Sequence, residues 1–244
     1  MNKRKRLLAI LINGMLLSSL CVASAVDVTV GATMAFGGGN KADYTLRTSM
    51  IGVNNTVTGV GGNQSKDNLA IGVGNTGTKV QHMTVIGSKN TVSDANNTLV
   101  LGDNRTVTSA NNTVILGSSD NGTTTTVNDA VAVGHNTEVS AVGGAAIGSN
   151  SKATVAAGAV GYDILTNAPS TDGSSTWKST ASAVSVGDVG NNVTRQITSV
   201  AAGTNDTDAV NVAQLKKVET KISTVEADAK KHTTVVAGAN TTVT

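Results

Sequence analysis

The sequence contains few aromatic residues, prolines, cysteines and charges. Its 244 residues include four aromatic side chains, one proline and one cysteine, and only 14% of the residues are charged. A single globular core of this size would use many more aromatic anchors. The low charge, combined with 39% hydrophobic residues, argues against a disordered chain, and 27 glycines beside one proline exclude collagen. The valine, threonine, alanine and asparagine that dominate instead suit many short strands joined by tight turns.

The first 25 residues have the three parts of a secretory signal peptide. A basic segment, residues 3–6, precedes a mostly apolar run over residues 7–20, and Ala23 and Ala25 form an A-x-A cleavage site. The run is too short to span a bilayer as a helix. We therefore expect export, with cleavage after Ala25. Acylation of Cys21 as a lipoprotein is disfavoured, because a large leucine precedes that cysteine.

Cleavage after Ala25 changes both the charge and the cysteine count. It removes four of the 18 basic residues and none of the 16 acidic ones, so the mature net charge is −2. The basic character of the whole chain therefore gives no support to nucleic-acid binding. Cys21 is removed as well, so an exported protein without disulfides must be held together by backbone ladders, packing and association.

A strand ending in glycine recurs along the chain. Its nine copies are spaced 15, 20, 15, 15, 15, 17, 14 and 13 residues apart. The glycines are Gly37, Gly52, Gly72, Gly87, Gly102, Gly117, Gly134, Gly148 and Gly161. A period near 15 accommodates two short strands and two turns, which predicts a β-solenoid whose coils stack on one another.

The residues before each glycine alternate between two faces of the predicted strand. We expect the first and third positions before the glycine to face the solenoid interior, and the middle position to face outward. The middle position is apolar in all nine copies, and a continuous apolar stripe on a surface implies that another copy of the chain covers it. The predicted interface residues are Ala70, Val85, Val100, Ile115, Ala132 and Ala146.

A short helix with a heptad pattern is predicted near the end of the chain. Asp208 is a suitable N-cap for a helix that begins near Ala209. The expected coiled-coil core residues step by three and four: Leu215, Val218, Ile222, Val225 and Ala229. Valine at d positions weakly favours an oligomer larger than a dimer. Two heptads are too short to be stable alone, so association elsewhere must support the helix.

The segment between the repeats and this helix resembles the neck of a known family. Its motifs are A-V-S-V-G (183–187), R-Q-I-T (195–198), V-A-A-G-T (200–204) and T-D-A-V-N-V-A-Q-L (207–215). Together with the glycine-ended repeats they are similar to the head and neck of the YadA-like trimeric autotransporter adhesins. The resemblance implies that the neck residues include Arg195, Gln196, Asp208, Asn211 and Gln214.

The resemblance also implies an architecture. It is a mainly β fold in which three left-handed parallel β-rolls pack side by side, followed by a neck and a short trimeric coiled coil. The expected segments are a signal peptide (1–25), β-roll head repeats (26–162), a connector (163–182), a neck (183–215), a coiled-coil stalk (209–231) and the start of a further β-rich stalk segment (232–244). The family carries a membrane anchor at its C-terminus, and we do not expect that anchor within residues 1–244.

The implied function is that of a bacterial surface adhesin. The expected partners are two further copies of the chain and host extracellular matrix or cells, with no nucleic acid, and contact with the outer membrane through the anchor alone. The alternative is a structural spacer or autoaggregation module without a host ligand of its own.

No enzyme, metal or cofactor site is expected, since the three histidines lack cysteine or paired acidic partners at metal-ligand spacing. An ice-binding solenoid is disfavoured, because Thr84, Thr98 and Thr113 are expected to point inward.

Overall fold

The computed structural model describes residues 33–232, which fall into two compact units divided between Arg195 and Gln196. The predicted signal peptide (1–25), its cleavage site at Ala25 and nearly all of the predicted final segment (232–244) lie outside the described residues.

The first unit is built from parallel strands arranged in two long sheets. Sheet A has nine strands in the order β1 (Met34–Phe36), β3 (Thr45–Val53), β5 (Ser65–Val73), β7 (Gln81–Ser88), β9 (Asn96–Leu101), β11 (Val114–Leu116), β13 (Val131–Val133), β15 (Ala145–Ile147) and β19 (Val184–Ser185). Sheet B has six strands in the order β12 (Thr123–Thr125), β10 (Arg105–Thr108), β8 (Thr91–Ser93), β6 (Thr76–Thr78), β4 (Thr56–Thr58) and β2 (Lys41–Asp43).

Two smaller pairs complete the strands of this unit. β14 (Glu138–Val139) and β16 (Lys152–Ala153) are parallel, whereas β17 (Tyr162–Asp163) and β18 (Ala168–Pro169) form an antiparallel hairpin. A 3₁₀ turn follows at Val189–Asn191, where Asp188 accepts a hydrogen bond from the Gly190 N–H.

The strand register has the predicted period. Val85 pairs with Val100, and Val100 pairs with Ile115, so residues 15 apart in the chain lie side by side in sheet A. Successive strands of each sheet belong to successive coils, which is the arrangement of a parallel β-solenoid. The prediction of a mainly β solenoid is therefore confirmed.

The core lies between the two sheets and consists of small and medium apolar side chains. Sheet B contributes Val57, Val92 and Val107, none of which is exposed. Sheet A contributes the middle position of the seven repeats from Met50 to Ala146, each at most 1% exposed. In the first repeat Ala35 is half-buried, and in the ninth Ala159 is exposed and lies outside sheet A. A coil only two short strands wide has room for such side chains and none for large aromatic ones.

The facing predicted for sheet A is wrong, because the two faces are exchanged. The residues predicted to form the subunit interface are at most 1% exposed and belong to the core of the chain itself: Ala70, Val85, Val100, Ile115, Ala132 and Ala146. Residues predicted to face inward lie outside, such as Ile86 at 41% exposure and Ile147 at 44%. Strands alternate with period two, so an error of one position exchanges every side chain between the faces.

In its described part, residues 196–232, the second unit contains a loop and one helix. Helix α1 spans Val212–His232, three residues later than the start predicted at Ala209. Asn211, not Asp208, caps it, because the Asn211 side chain accepts a hydrogen bond from the Gln214 N–H at 3.1 Å. Asp208 instead accepts hydrogen bonds from the backbone N–H groups of Thr204 and Asn205, both at 2.9 Å, and so closes a turn in the preceding loop.

Candidate functional site

The outer surface of sheet A is a continuous apolar strip, which we call the apolar face. The strand register stacks its members across successive coils. They are Ile51, Leu69, Ile71, Ile86, Leu99, Leu101, Val114, Leu116, Val131, Val133 and Ile147. Each is half-buried or exposed in the single chain. An apolar strip of this length on a protein surface that faces water normally marks an interface.

Glycines border the apolar face at the ends of the sheet A strands. Gly87 has φ of 141°, and a Cβ placed on it would lie 1.9 Å from the Gly102 carbonyl oxygen of the next coil. A Cβ placed on Gly72 would likewise lie 1.9 Å from the Gly87 carbonyl oxygen. Side chains are therefore excluded from this column by both backbone conformation and space, which lets the coils stack at the corner.

An asparagine ladder runs up the same corner. The Asn75 side chain donates to the Gly87 carbonyl at 2.7 Å, and its amide oxygen accepts the N–H and the side-chain amide of Asn90. Asn55 and Asn40 repeat the pattern in earlier coils. Each side chain therefore satisfies backbone groups of neighbouring coils that a corner would otherwise leave unpaired.

Arg105 replaces asparagine at the next step of this ladder. It is only 1% exposed, and its guanidinium donates to the carbonyls of Gly117 at 2.8 Å, Gly134 at 3.1 Å and Thr137 at 2.7 Å. It also donates to the Thr137 hydroxyl at 3.0 Å. Burial lowers the pKa of Arg105 from its usual value. One long side chain thus joins three coils where the regular repeat is interrupted.

Arg195 lies at the far end of the corner. Its guanidinium donates to the Ser149 carbonyl at 2.5 Å, to the Ser151 hydroxyl at 3.1 Å and to the Val186 carbonyl. The group lies over Gly148, so close that a Cβ on that glycine would be 3.0 Å from it. Arg195 therefore supplies donors to carbonyls at the last glycine corner. Sequence reasoning included it through the neck motif alone.

The neck residues of the second unit are joined by side-chain to backbone hydrogen bonds. Gln214 and Asn211 form a reciprocal cap, in which the Asn211 N–H donates to the Gln214 side-chain oxygen at 3.2 Å. Gln214 also exchanges two hydrogen bonds with Gly203, at 3.1 and 3.0 Å. The backbone N–H groups of Asn205 and Thr204 lower the pKa of Asp208.

Gln196 is exposed at the start of this unit and joins none of these contacts. The structure thus brings together Asp208, Asn211 and Gln214, with Gly203 as a partner that sequence reasoning missed. The motif spacing of Asn-x-x-Gln, a capping box, was a signal that could have identified the true helix start.

The predicted heptad positions form an unpartnered seam on helix α1. Leu215 is 63% exposed, Ile222 54% and Val225 62%. Val218 and Ala229 are exposed as well. Spacings of three and four residues place these side chains on one face of the helix. Within residues 33–232, this seam is therefore a second apolar surface that remains uncovered.

Charged groups at the surface of the first unit form small ion-paired groups, in which Asp67 lies near both Arg47 and His82 and Lys152 lies between Glu138 and Asp188. Arg47 and Asp67 are 2.5 Å apart, and this arginine lowers the pKa of the Asp67 carboxyl. The His135 ring lies 3.0 Å from the Asp120 carboxylate. Hydrogen bonding to Asn136 is the largest cause that lowers the pKa of Asp120, and hydrogen bonding to His135 is the second. No group of three or more metal-ligating side chains occurs within residues 33–232.

Helix α1 is not apolar enough to cross a membrane, and the part of the chain that the structure describes contains no other candidate span.

These features define a class of protein: a parallel β-solenoid followed by a helix, with an uncovered apolar surface on each. Residues 196–239 match the family model described as the coiled stalk of trimeric autotransporter adhesin. A stretch of 78 residues is 56% identical to the autotransporter adhesin BadA of Bartonella henselae and covers 32% of this chain. Another is 49% identical over 78 residues, 31% of the chain, to the trimeric autotransporter adhesin AtaA of an Acinetobacter species, strain Tol 5.

The predicted resemblance to YadA-like trimeric autotransporter adhesins is confirmed by these matches. The chain spans about 2% of the length of the curated relatives it matches.

Proposed function

We propose that the chain is part of the exported, surface-displayed region of an adhesin that works as a homotrimer. The observation that carries the proposal is the pair of apolar surfaces, one on each unit, that the described residues leave uncovered. One relative and the matching family model are trimeric by name. A protein in water does not leave surfaces of this kind uncovered unless something binds to them.

The apolar face is the proposed contact between subunits in the solenoid. Residues such as Ile86 and Leu101 meet the same strip on the neighbouring subunits, and the heptad seam of helix α1 forms the trimeric coiled coil. The proposed interface residues therefore lie one position along each strand from those predicted from sequence. The reason for proposing an interface is still a continuous apolar surface.

The proposed adhesive mechanism is geometric. A trimer presents three copies of every outward side chain in fixed relation, so weak single contacts add through avidity. The proposed ligands are matrix proteins or cell surfaces of a host. Export by the signal peptide and attachment to the outer membrane through a segment beyond Thr244 belong to the same proposal.

The test is binding of the purified exported chain to immobilised collagen, laminin and fibronectin and to cultured cells. We expect saturable binding to at least one of them. Binding should weaken strongly when the chain is dissociated to monomers, because avidity is lost while each protomer remains folded. Absence of saturable binding to every surface would contradict a host-directed adhesin.

A spacer or autoaggregation module is the second candidate. The near identity of neighbouring coils favours it, as in Asn96–Gly102 and Asn111–Gly117, since repetition sets a length without creating a distinctive site. Cells carrying the parent protein without residues 33–162 distinguish the two. Loss of autoaggregation with retained host adhesion supports the spacer, and loss of host adhesion supports the adhesin.

A further inference from the structure

The outer surface of sheet B carries an ordered array of hydroxyl groups, which we call the threonine face. Each of four consecutive strands, β4, β6, β8 and β10, presents two hydroxyl residues on either side of a buried one. The face consists of Thr56, Thr58, Thr76, Thr78, Thr91, Ser93, Thr106 and Thr108.

The register arranges these residues in two straight rows. Thr76 pairs with Thr56 on one side and with Thr91 on the other, and Thr91 pairs with Thr106. The second row contains Thr58, Thr78, Ser93 and Thr108 in the same order. Adjacent strands lie about 4.8 Å apart, and residues two apart in a strand lie about 6.6 Å apart, so the hydroxyls occupy a nearly rectangular lattice.

The buried central residue of each strand determines that the hydroxyl side chains face outward. In each strand, the residue between the two hydroxyl residues lies on the core side. These residues are Val57, Gly77, Val92 and Val107, and all are buried. Alternation along a strand then holds both flanking side chains outward. Because threonine is β-branched, its χ1 angle is restricted, so the methyl and hydroxyl groups are held in place with little entropy left to lose.

The hydroxyls of the array are almost all free to bind something else. Ser93 donates to Thr108 at 3.2 Å. The other six hydroxyls make no hydrogen bond to any residue of the described range 33–232. None of the eight side chains is charged or aromatic.

The side chains of the threonine face indicate which kind of ligand it can bind. Protein interfaces depend on buried tryptophan, tyrosine and arginine anchors, and small molecules bind in concave sites. The threonine face offers neither; it is a regular lattice of threonine and serine side chains in register across four strands. Such a lattice complements another lattice whose hydrogen-bonding groups repeat on the same scale, and the faces of crystalline ice, made of ordered water, have that property. We propose that the threonine face binds ice.

The threonines that argued against this function from sequence belong to the other sheet. Thr98 and Thr113 are buried, as expected, whereas Thr84 is half-buried on the outer side of sheet A. The array on sheet B involves different residues. It also lies on a different sheet from the apolar face, so it does not depend on the proposed function or on the proposed trimer.

The experiment measures partition of the purified chain into a slowly growing ice hemisphere, together with inhibition of ice recrystallisation. We expect the unmodified chain to be enriched in the ice fraction by at least several-fold over a non-binding protein of similar size. The double variant Thr76→Lys/Thr91→Lys places two long charged side chains in the middle of the array and should abolish the enrichment.

Two comparisons keep the result interpretable. Thr171→Lys makes the same kind of change in the exposed connector and should leave the enrichment unchanged, and circular dichroism verifies that all variants retain their strand content. Exclusion of the unmodified chain from ice overturns the proposal. Equal enrichment of the folded double variant also overturns it, because binding would then come from another surface.

Discussion

Eight glycines at the ends of sheet A strands have positive φ, and they determine how closely the coils approach: Gly37, Gly52, Gly72, Gly87, Gly102, Gly117, Gly134 and Gly148. In the regular coils the absent side chain leaves space for the carbonyl group of the next coil. The role of these residues is therefore conformational and steric together, which explains why the repeat is recognisable by its glycine.

Gly87→Ala should destabilise the solenoid by about 4 kcal/mol, since the backbone conformation is unfavourable for alanine and its Cβ meets the Gly102 carbonyl. The free energy of unfolding in urea measures this. Gly173→Ala is the matched control, because no atom lies within 4 Å of its Cβ position. Equal stability of the two variants would refute the steric role of the column.

Thr98 is an unusual residue of the core. Its buried hydroxyl has no hydrogen-bond partner among the described residues. Thr113, 15 residues later, occupies the equivalent place, and its hydroxyl donates to the Asn111 carbonyl at 3.4 Å. The equivalent threonine hydroxyl therefore has a hydrogen-bond partner in one coil and none among the described residues in the other.

Thr98→Val should raise the free energy of unfolding by about 1 kcal/mol, because it removes an unsatisfied polar group at almost constant volume. Thr113→Val removes a bonded hydroxyl and should be neutral or destabilising. Chemical denaturation of the two variants tests the difference. A loss of stability in Thr98→Val would mean that its hydroxyl has a partner in solution.

At the scale of elements, helix α1 depends on a cap that reaches beyond the helix. Gln214 completes the reciprocal cap with Asn211 and also binds Gly203 through both its donor and its acceptor. A single side chain therefore positions both the first turn of the helix and the loop that precedes it.

Gln214→Ala should increase amide hydrogen exchange at Gly203 and Asn211, whose N–H groups lose their acceptor, and cost about 1 kcal/mol. Gln214→Glu keeps the acceptor but loses the donor to the Gly203 carbonyl, so it should protect Asn211 better than the alanine variant does. Lys217→Ala, further along the helix, serves as the control. Unchanged exchange at both amides in Gln214→Ala would contradict the double role.

At the scale of the whole molecule, the corrected facing of sheet A changes which substitutions should separate the subunits. Ile86→Asp/Leu101→Asp places charges on the apolar face without disturbing the core. Sedimentation should change from three chains to one, while circular dichroism retains the strand signal, because burying unpaired charges at an interface is strongly unfavourable.

Val100→Asp provides the contrast, since Val100 is fully buried within one chain and should unfold its coils instead of dissociating them. Thr91→Asp/Thr106→Asp on the threonine face is the control and should remain trimeric. A folded Ile86→Asp/Leu101→Asp variant that still sediments as three chains would exclude the apolar face as the interface.

Much of the architecture could be predicted because it repeats. The period near 15, the glycine corners and the valines of sheet B are local signals copied along the chain, and each copy supports the others. The neck motifs likewise indicated the family. The predicted start of helix α1 was wrong, because Asp208 and Asn211 are both good caps, and the hydrogen bonds between Gln214 and Gly203 of the preceding loop, which favour Asn211, are visible only in the structure.

The sequence by itself determined the solenoid, its period and the presence of uncovered apolar surfaces, since all three follow from repetition and composition. Only the tertiary structure decided which side of sheet A is the core. Both sides are apolar, so polarity cannot choose between them, and size does not choose either, because Met50 and Ile115 are buried at the same position as Ala70. The side of sheet A that packs against the buried valines of sheet B becomes the core. The same folding carries the threonines of sheet B outward into rows that no single repeat reveals.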